Sequence, residues 1–155
     1  MKKSRLDIHF LALSFIMFSC SGSGSGEQAT EESSAVETEE VASAKIYFVS
    51  PADGDTVISP LIIQMGVEGM EVEPAGEVKE GMGHHHLIIN GSFIEEGVVI
   101  PTDSIHIHYG LAQVSDTVDL APGNYTLTLQ FADGFHQSYG EPLSSTINIT
   151  VVENN

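Results

Sequence analysis

From Lys45 onward, apolar and polar residues alternate with a period of two, the pattern of strands and not of helices. Leu61, Ile63, Met65 and Val67 alternate with Ile62, Gln64, Gly66 and Glu68. Tyr125, Leu127, Leu129 and Phe131 alternate with Thr126, Thr128 and Gln130, and Ile147, Ile149 and Val151 with Asn148, Thr150 and Val152. Turn chemistry separates the runs at Ser50-Pro51-Ala52-Asp53-Gly54, Asn90-Gly91, Pro122-Gly123-Asn124 and Ala132-Asp133-Gly134. About six to eight short strands in roughly 110 residues predict an all-β fold, an immunoglobulin-like antiparallel β-sandwich, with a jelly-roll arrangement second. The Cys-Trp-Cys core of antibody domains is absent, so only the architecture is implied.

The N-terminal part follows no such pattern. Lys2, Lys3 and Arg5 precede a mostly apolar run from Ile8 to Phe18. That run is too short for a membrane-spanning helix, which needs roughly twenty apolar residues, and it fits the apolar region of a secretory signal. The sole cysteine, Cys20, follows Ser19 and precedes a Ser/Gly run, as in a bacterial lipobox with cleavage before Cys20 and lipid attached there. The expected organisation is therefore a signal peptide over residues 1–19, a lipidated Cys20 with a linker to residue 44, and a β domain over 45–155. Ser21 to Gly26 are alternating Ser and Gly, followed by Glu27, Glu31, Glu32, Glu37, Glu39 and Glu40 among small polar residues. Such a stretch cannot bury a core, and a disordered tether is expected. The place this predicts is the cell envelope, with the protein lipid-anchored to the outer membrane on its periplasmic or surface side.

Charge narrows the partners. The 155 residues hold 22 acidic and 5 basic side chains, a formal net charge of −17. Nucleic acid is excluded as a partner, because phosphates demand Lys and Arg. Loss of residues 1–19 leaves only Lys45 and Lys79 as basic residues, so the attachment to a membrane is through acyl chains and not a basic patch. A single Cys also excludes an internal disulfide framework, a Cys₄ zinc site and an iron–sulfur cluster.

The candidate chemistry lies in the histidines. In a strand through Gly83-His84-His85-His86-Leu87-Ile88-Ile89, His85, Leu87 and Ile89 share one face and His84, His86 and Ile88 the other. In Ile105-His106-Ile107-His108-Tyr109 the apolar residues share a face opposite His106 and His108. With the apolar sets turned inward, His84, His86, His106 and His108 are expected to point out of the sandwich. His85 is expected in the core, hydrogen-bonded to backbone. One antiparallel register sets His86 opposite His106 and His84 opposite His108, with Cβ atoms about 4.5–5.5 Å apart. Imidazoles so placed can converge on one transition metal, with His136 closing the site from beyond the Asp133-Gly134 turn. Copper is the first candidate and zinc the second, and Met70 and Met82 stand near enough in sequence to offer thioether to copper(I).

Several segments together resemble a known family. Phe48-Val49-Ser50-Pro51-Ala52-Asp53-Gly54, Pro74-Ala75-Gly76, Gly83-His84-His85-His86-Leu87, His106-Ile107-His108-Tyr109-Gly110 and Pro122-Gly123-Asn124-Tyr125-Thr126 occur in this order. They are similar to an uncharacterised bacterial family of secreted and lipoprotein domains of unknown function, over roughly residues 47–152. The resemblance implies an exported β domain and brings no activity. Members often carry a second His shortly after the position of His136, where this chain has Tyr139.

The expected function is metal binding for buffering, delivery or sensing in the envelope, with a metal-delivery or envelope protein as partner. The alternative is a scaffolding or binding module for a glycan or protein, with the histidines as a structural network. An enzyme is not expected. The chain has neither a Gly-x-Ser-x-Gly elbow nor a His-Glu-x-x-His motif, although Glu95, Glu96 and Asp103 lie between the His strands.

Overall fold

A computed structural model describes residues 43–154. The expected signal peptide, Cys20 and the linker up to residue 42 lie outside the described residues, so only the β domain is described below. Its strands are β1 (Lys45–Ser50), β2 (Thr56–Ile58), β3 (Leu61–Glu68), β4 (Glu71–Val72) and β5 (Met82–Ile89), followed by β6 (His106–His108), β7 (Ser115–Val118), β8 (Gly123–Ala132) and β9 (Ser144–Val152). The helical element among the described residues is one 3₁₀ turn, Glu141–Leu143.

The strands form two sheets. One has the order β1-β3-β7 and the other β2-β9-β8-β5-β4, with β6 also paired to β5. The long pairings are antiparallel, as expected, but two short ones, β2 with β9 and β4 with β5, are parallel. Ile46, Leu61, Ile63, Met65 and Val118 from the first sheet meet Leu87, Leu127, Leu129, Phe131, Ile147, Ile149 and Val151 from the second in one apolar core. The β-sandwich follows from the period of two: in β3, Leu61, Ile63 and Met65 are buried while Ile62 and Gln64 are exposed.

The central strand breaks this rule. Every residue of β5 from Gly83 to Ile88 is buried, and so is β8 from Leu127 onward. A second cover lies on their outer face, made of the segment after β5 and the segment between β8 and β9. Val99 pairs with Gln137, and Ser138 Oγ donates to the carbonyl of Ile94 at 2.7 Å. Thr128 Oγ1 donates to the Gly91 carbonyl at 2.9 Å. Gln130, fully buried, accepts from Ile94 N–H through Oε1 and donates through Nε2 to the carbonyls of Gly140 and Leu143. One amide thus ties both covering segments to β8.

Gln130→Met, which keeps the volume and removes the amide, leaves one half-buried N–H and two buried carbonyls without this partner. Urea unfolding should show a loss of about 2–4 kcal/mol, since each orphaned buried group costs roughly 1–3 kcal/mol. A loss under half a kilocalorie, on the order of a surface change, would mean the cover is held elsewhere.

Candidate metal centre

Strand β5 supplies two imidazoles to its outer face. His84 and His86 sit two residues apart, their Nε2 atoms 3.0 Å from each other, at 0% and 1% exposure. Their outward facing from the sandwich core agrees with the strand period. Their exposure does not, because the two covering segments close over this face. The apolar Ile88 on the same face was the signal in the chain that the face is covered.

The register of β6 is displaced by two residues from the expected one. His86 stands opposite His108, Leu87 opposite Ile107 and Ile88 opposite His106. The edge of β5 at Met82 and Gly83 is already occupied by β4, and Glu73 N–H donates to the Gly83 carbonyl. This keeps β6 from reaching His84. A shift of two preserves the faces, so His108 still lands on the histidine side and Tyr109 in the core. Gly110 matters here, since a Cβ at that position would overlap the His108 ring.

His136 arrives from the turn after β8. Its ring lies 4.6 Å from that of His108 and 5.0 Å from that of His84, and its Nε2 is 3.1 Å from His108 Nε2. The structure therefore brings together His84, His86 and His108, whose ring nitrogens offer ligand atoms all within 4.8 Å of one another, with His136 against them. His106 is not brought into this group. It lies two residue pairs further along the ladder, opposite Ile88, and its Nδ1 contacts Asp103 Oδ1 at 2.8 Å. The expectation that it faces His86 is thus corrected, the displaced register being the cause. Asp103 Oδ1 also accepts from the backbone N–H groups of Ile105 and His106. The His106 hydrogen bond, followed by that from Ile105, holds the Asp103 carboxyl below its usual range.

His85 faces the core, its ring 5.1 Å from that of Phe131, and neither ring nitrogen has a hydrogen-bond partner among the described residues. The expected bond to backbone is not made, because the neighbouring peptide groups are taken by the β5 ladder. Tyr139 stacks on the other aromatic neighbour of this region, Phe131, and donates its hydroxyl to the Met82 carbonyl, away from the cluster. Met70 packs against the apolar core, and Met82 opens β5.

Burial, with mutual repulsion, keeps His84, His86 and His108 neutral. Burial, then the neighbouring His108 and His136, lower the pKa of His84 to about 4. Burial, then His84, His108 and His136, lower that of His86 to about 2. His108 is lowered by burial and by His136. Neutral imidazoles are the ligand form, so at neutral pH protons do not compete for the lone pairs of these three residues.

Residues 63–152, from β3 to the end of β9, match the family described as Domain of unknown function (DUF4399). The chain belongs to this family. The matched stretch of the DUF4399 domain contains all six histidines of the β domain, and β1 and β2 precede it. No curated protein and no solved structure matches the chain. A DUF4399 domain with a histidine cluster able to hold a metal is therefore what the geometry and the comparison jointly establish.

Burial alone lowers the pKa of His85, to about 4 from 6.5. The unfolded chain therefore binds the proton first, and stability, complete above pH 6.5, is lost as the pH falls toward 4. For His85 alone the loss is about 3 kcal/mol at 1.36 kcal/mol per pH unit. Metal-free protein unfolded in urea at pH 7.5 and pH 4.5 should show this decline, and His85→Leu should show a smaller one. Equal declines in both would mean that other groups carry the linkage.

Proposed function

We propose that this DUF4399 protein is an exported bacterial lipoprotein that binds a transition metal, copper or zinc, for buffering, delivery or sensing in the cell envelope. The observation that carries the reading is the buried pair on β5: two neutral imidazoles with their Nε2 atoms 3.0 Å apart, beside His108. Imidazole nitrogens bind zinc and copper at about 2.0–2.1 Å, and two ligands of one ion then stand close to this separation. The strongly acidic chain adds a negative potential that concentrates cations near the surface.

The outer ring nitrogens favour exchange over permanent retention. In durable metal sites the second nitrogen of each His donates to a carboxylate or carbonyl, and loss of such a partner costs about 10–100-fold in affinity. Here Nδ1 of both His84 and His86 is buried without a partner among the described residues. A site of this kind suits a protein that takes up an ion and passes it on. The sequence features around Cys20 support attachment to the outer membrane through a lipid, and an envelope metal-delivery protein is the partner this role requires. Binding without turnover is the corresponding reading of the chemistry. Glu95 and Glu96 are exposed, and Asp103 is engaged by His106, so none of the three carboxylates between the His strands is poised beside the cluster as a base.

Calorimetric titration of the full-length chain, carrying Cys20→Ser to remove the competing thiol, tests this reading with zinc(II), copper(II) and nickel(II). Binding tighter than about micromolar, roughly −8 kcal/mol, is expected for at least one ion. His108→Ala, at an exposed position, should weaken it at least tenfold with unchanged circular dichroism, and His84→Ala should abolish it. No binding, or equal binding by both variants, would leave the cluster a structural network and favour a glycan or protein ligand.

A further inference from the structure

Resting on the metal-binding reading above, we propose that His136 is a fourth ligand and that the four imidazoles form a tetrahedral site suited to zinc(II), in which copper(II) is held only in a distorted geometry. The six distances among the ring centres carry this. They are 4.8 Å for His84–His86, 5.0 Å for His84–His108, 5.0 Å for His84–His136, 5.0 Å for His86–His108, 5.9 Å for His86–His136 and 4.6 Å for His108–His136.

Four imidazoles bound at about 2.0–2.1 Å to one ion place their ring centres about 3.2 Å from it. Tetrahedral placement then makes all six separations about 5.2 Å, whereas a square plane makes four of about 4.5 Å and two of about 6.4 Å. In a square, the two long separations belong to two pairs that share no residue. Here His86–His136 is the longest at 5.9 Å, but the pair left over, His84–His108, stands at 5.0 Å. The arrangement is therefore tetrahedral in kind. The two Nε2 contacts, His84–His86 at 3.0 Å and His108–His136 at 3.1 Å, also share no residue and form opposite edges of that tetrahedron. An ion at its centre needs these edges to open to about 3.3 Å and the wider separations among the ligand atoms of His84, His86 and His108, up to 4.8 Å, to contract to the same value.

The scaffold resists flattening. His84 and His108 lie on β5 and β6, and the two strands are joined by the pairing of His86 with His108 and by the bond from Tyr109 N–H to the His85 carbonyl. While that pairing holds, the backbone positions of His84 and His108 favour the tetrahedral separation over the longer one of a square plane. Copper(II) favours tetragonal geometry and zinc(II) has no such electronic demand, so a fixed tetrahedron narrows the usual copper advantage.

The turn that presents His136 is built for it. Asp133 Oδ1 accepts the N–H groups of Phe135 at 2.8 Å and Gln137 at 2.9 Å, and the Asp133 carbonyl accepts the His136 N–H at 3.0 Å. His136 is thereby held at φ 67°, the left-handed region uncommon for non-glycine residues though less so for histidine. Gly134 lies against the carbonyls of Gly76 and Glu77, where no Cβ fits. Asp133 is thus a positioning residue for the fourth ligand.

Cobalt(II) as a stand-in for zinc reads the coordination directly. The full-length chain carrying Cys20→Ser should give the intense visible absorption of four-coordinate cobalt, lost on adding equimolar zinc(II). His136→Ala should bind cobalt at least tenfold more weakly, with the weak absorption of a higher-coordinate ion. Asp133→Ala should move partway toward that spectrum and add no further loss in the His136→Ala background. Copper(II) in the unsubstituted site should show the narrowed parallel hyperfine splitting of a copper ion pushed toward a tetrahedron. A six-coordinate cobalt spectrum, a square-planar copper signal, or a His136→Ala variant identical to its parent would overturn the proposal while leaving metal binding standing. Failure of cobalt, zinc and copper to bind at all would overturn the functional reading with it.

Discussion

Burying polar rings on a central strand with most of their ring nitrogens unpartnered is the constraint around which this domain is arranged. Strand β5 carries three imidazoles in a row, and all three are removed from water, two on the outer face and one on the core face. Taking a charged imidazole out of water is costly, so the fold is stable only with these rings neutral. The outer face becomes dry because two segments outside the sandwich are pinned across it by Gln130, Thr128 and Ser138. The same cover that neutralises His84 and His86 leaves the exposed His108 at the rim, with His136 beside it. A pair of buried donors with an accessible pair above them is the arrangement that an ion can enter from one side.

The fold was legible in the chain because its signals are local. Alternation in β3, β8 and β9 and the turn residues between them need no knowledge of distant contacts, and they lead to two packed sheets. The parallel pairings of β2 and β4 were not legible. Thr56–Ile58 and Glu71–Val72 are too short to carry a pattern, and their partners are chosen by the space left at the edges of β9 and β5. The burial of His84 and His86 escaped for a related reason: covering segments without alternation announce neither their path nor what they cover.

The histidine face illustrates how far register can be read. The parity of His84, His86, His106 and His108 is a property of the strands themselves and survives any shift by an even number of residues. Which histidine meets which depends on where β6 can dock, and that is decided by β4, a two-residue strand from another part of the chain. His106 consequently settles on Asp103, three residues away, while His108 joins the β5 pair. His136 depends on a turn whose shape is set by Asp133 and the absence of a side chain at Gly134. A turn was visible in Asp133-Gly134, but not the direction in which it would aim the next histidine.

The shortness of β6 has a kinetic consequence. This strand contributes three residues, lies at a sheet edge and ends in His108. Edge segments held by so few bonds open far more often than the core around them, at a small fraction of the cost of unfolding the whole domain. An ion seated on His84, His86 and His108 would close the strand ladder like a clasp, stiffening an edge that is otherwise free to breathe. Each opening of β6 would in turn withdraw one ligand and expose the remaining ones to a docking protein. The residence time of the ion would then follow the fraying rate of a three-residue strand and not the stability of the sandwich, so that loading and release proceed while the fold stays intact.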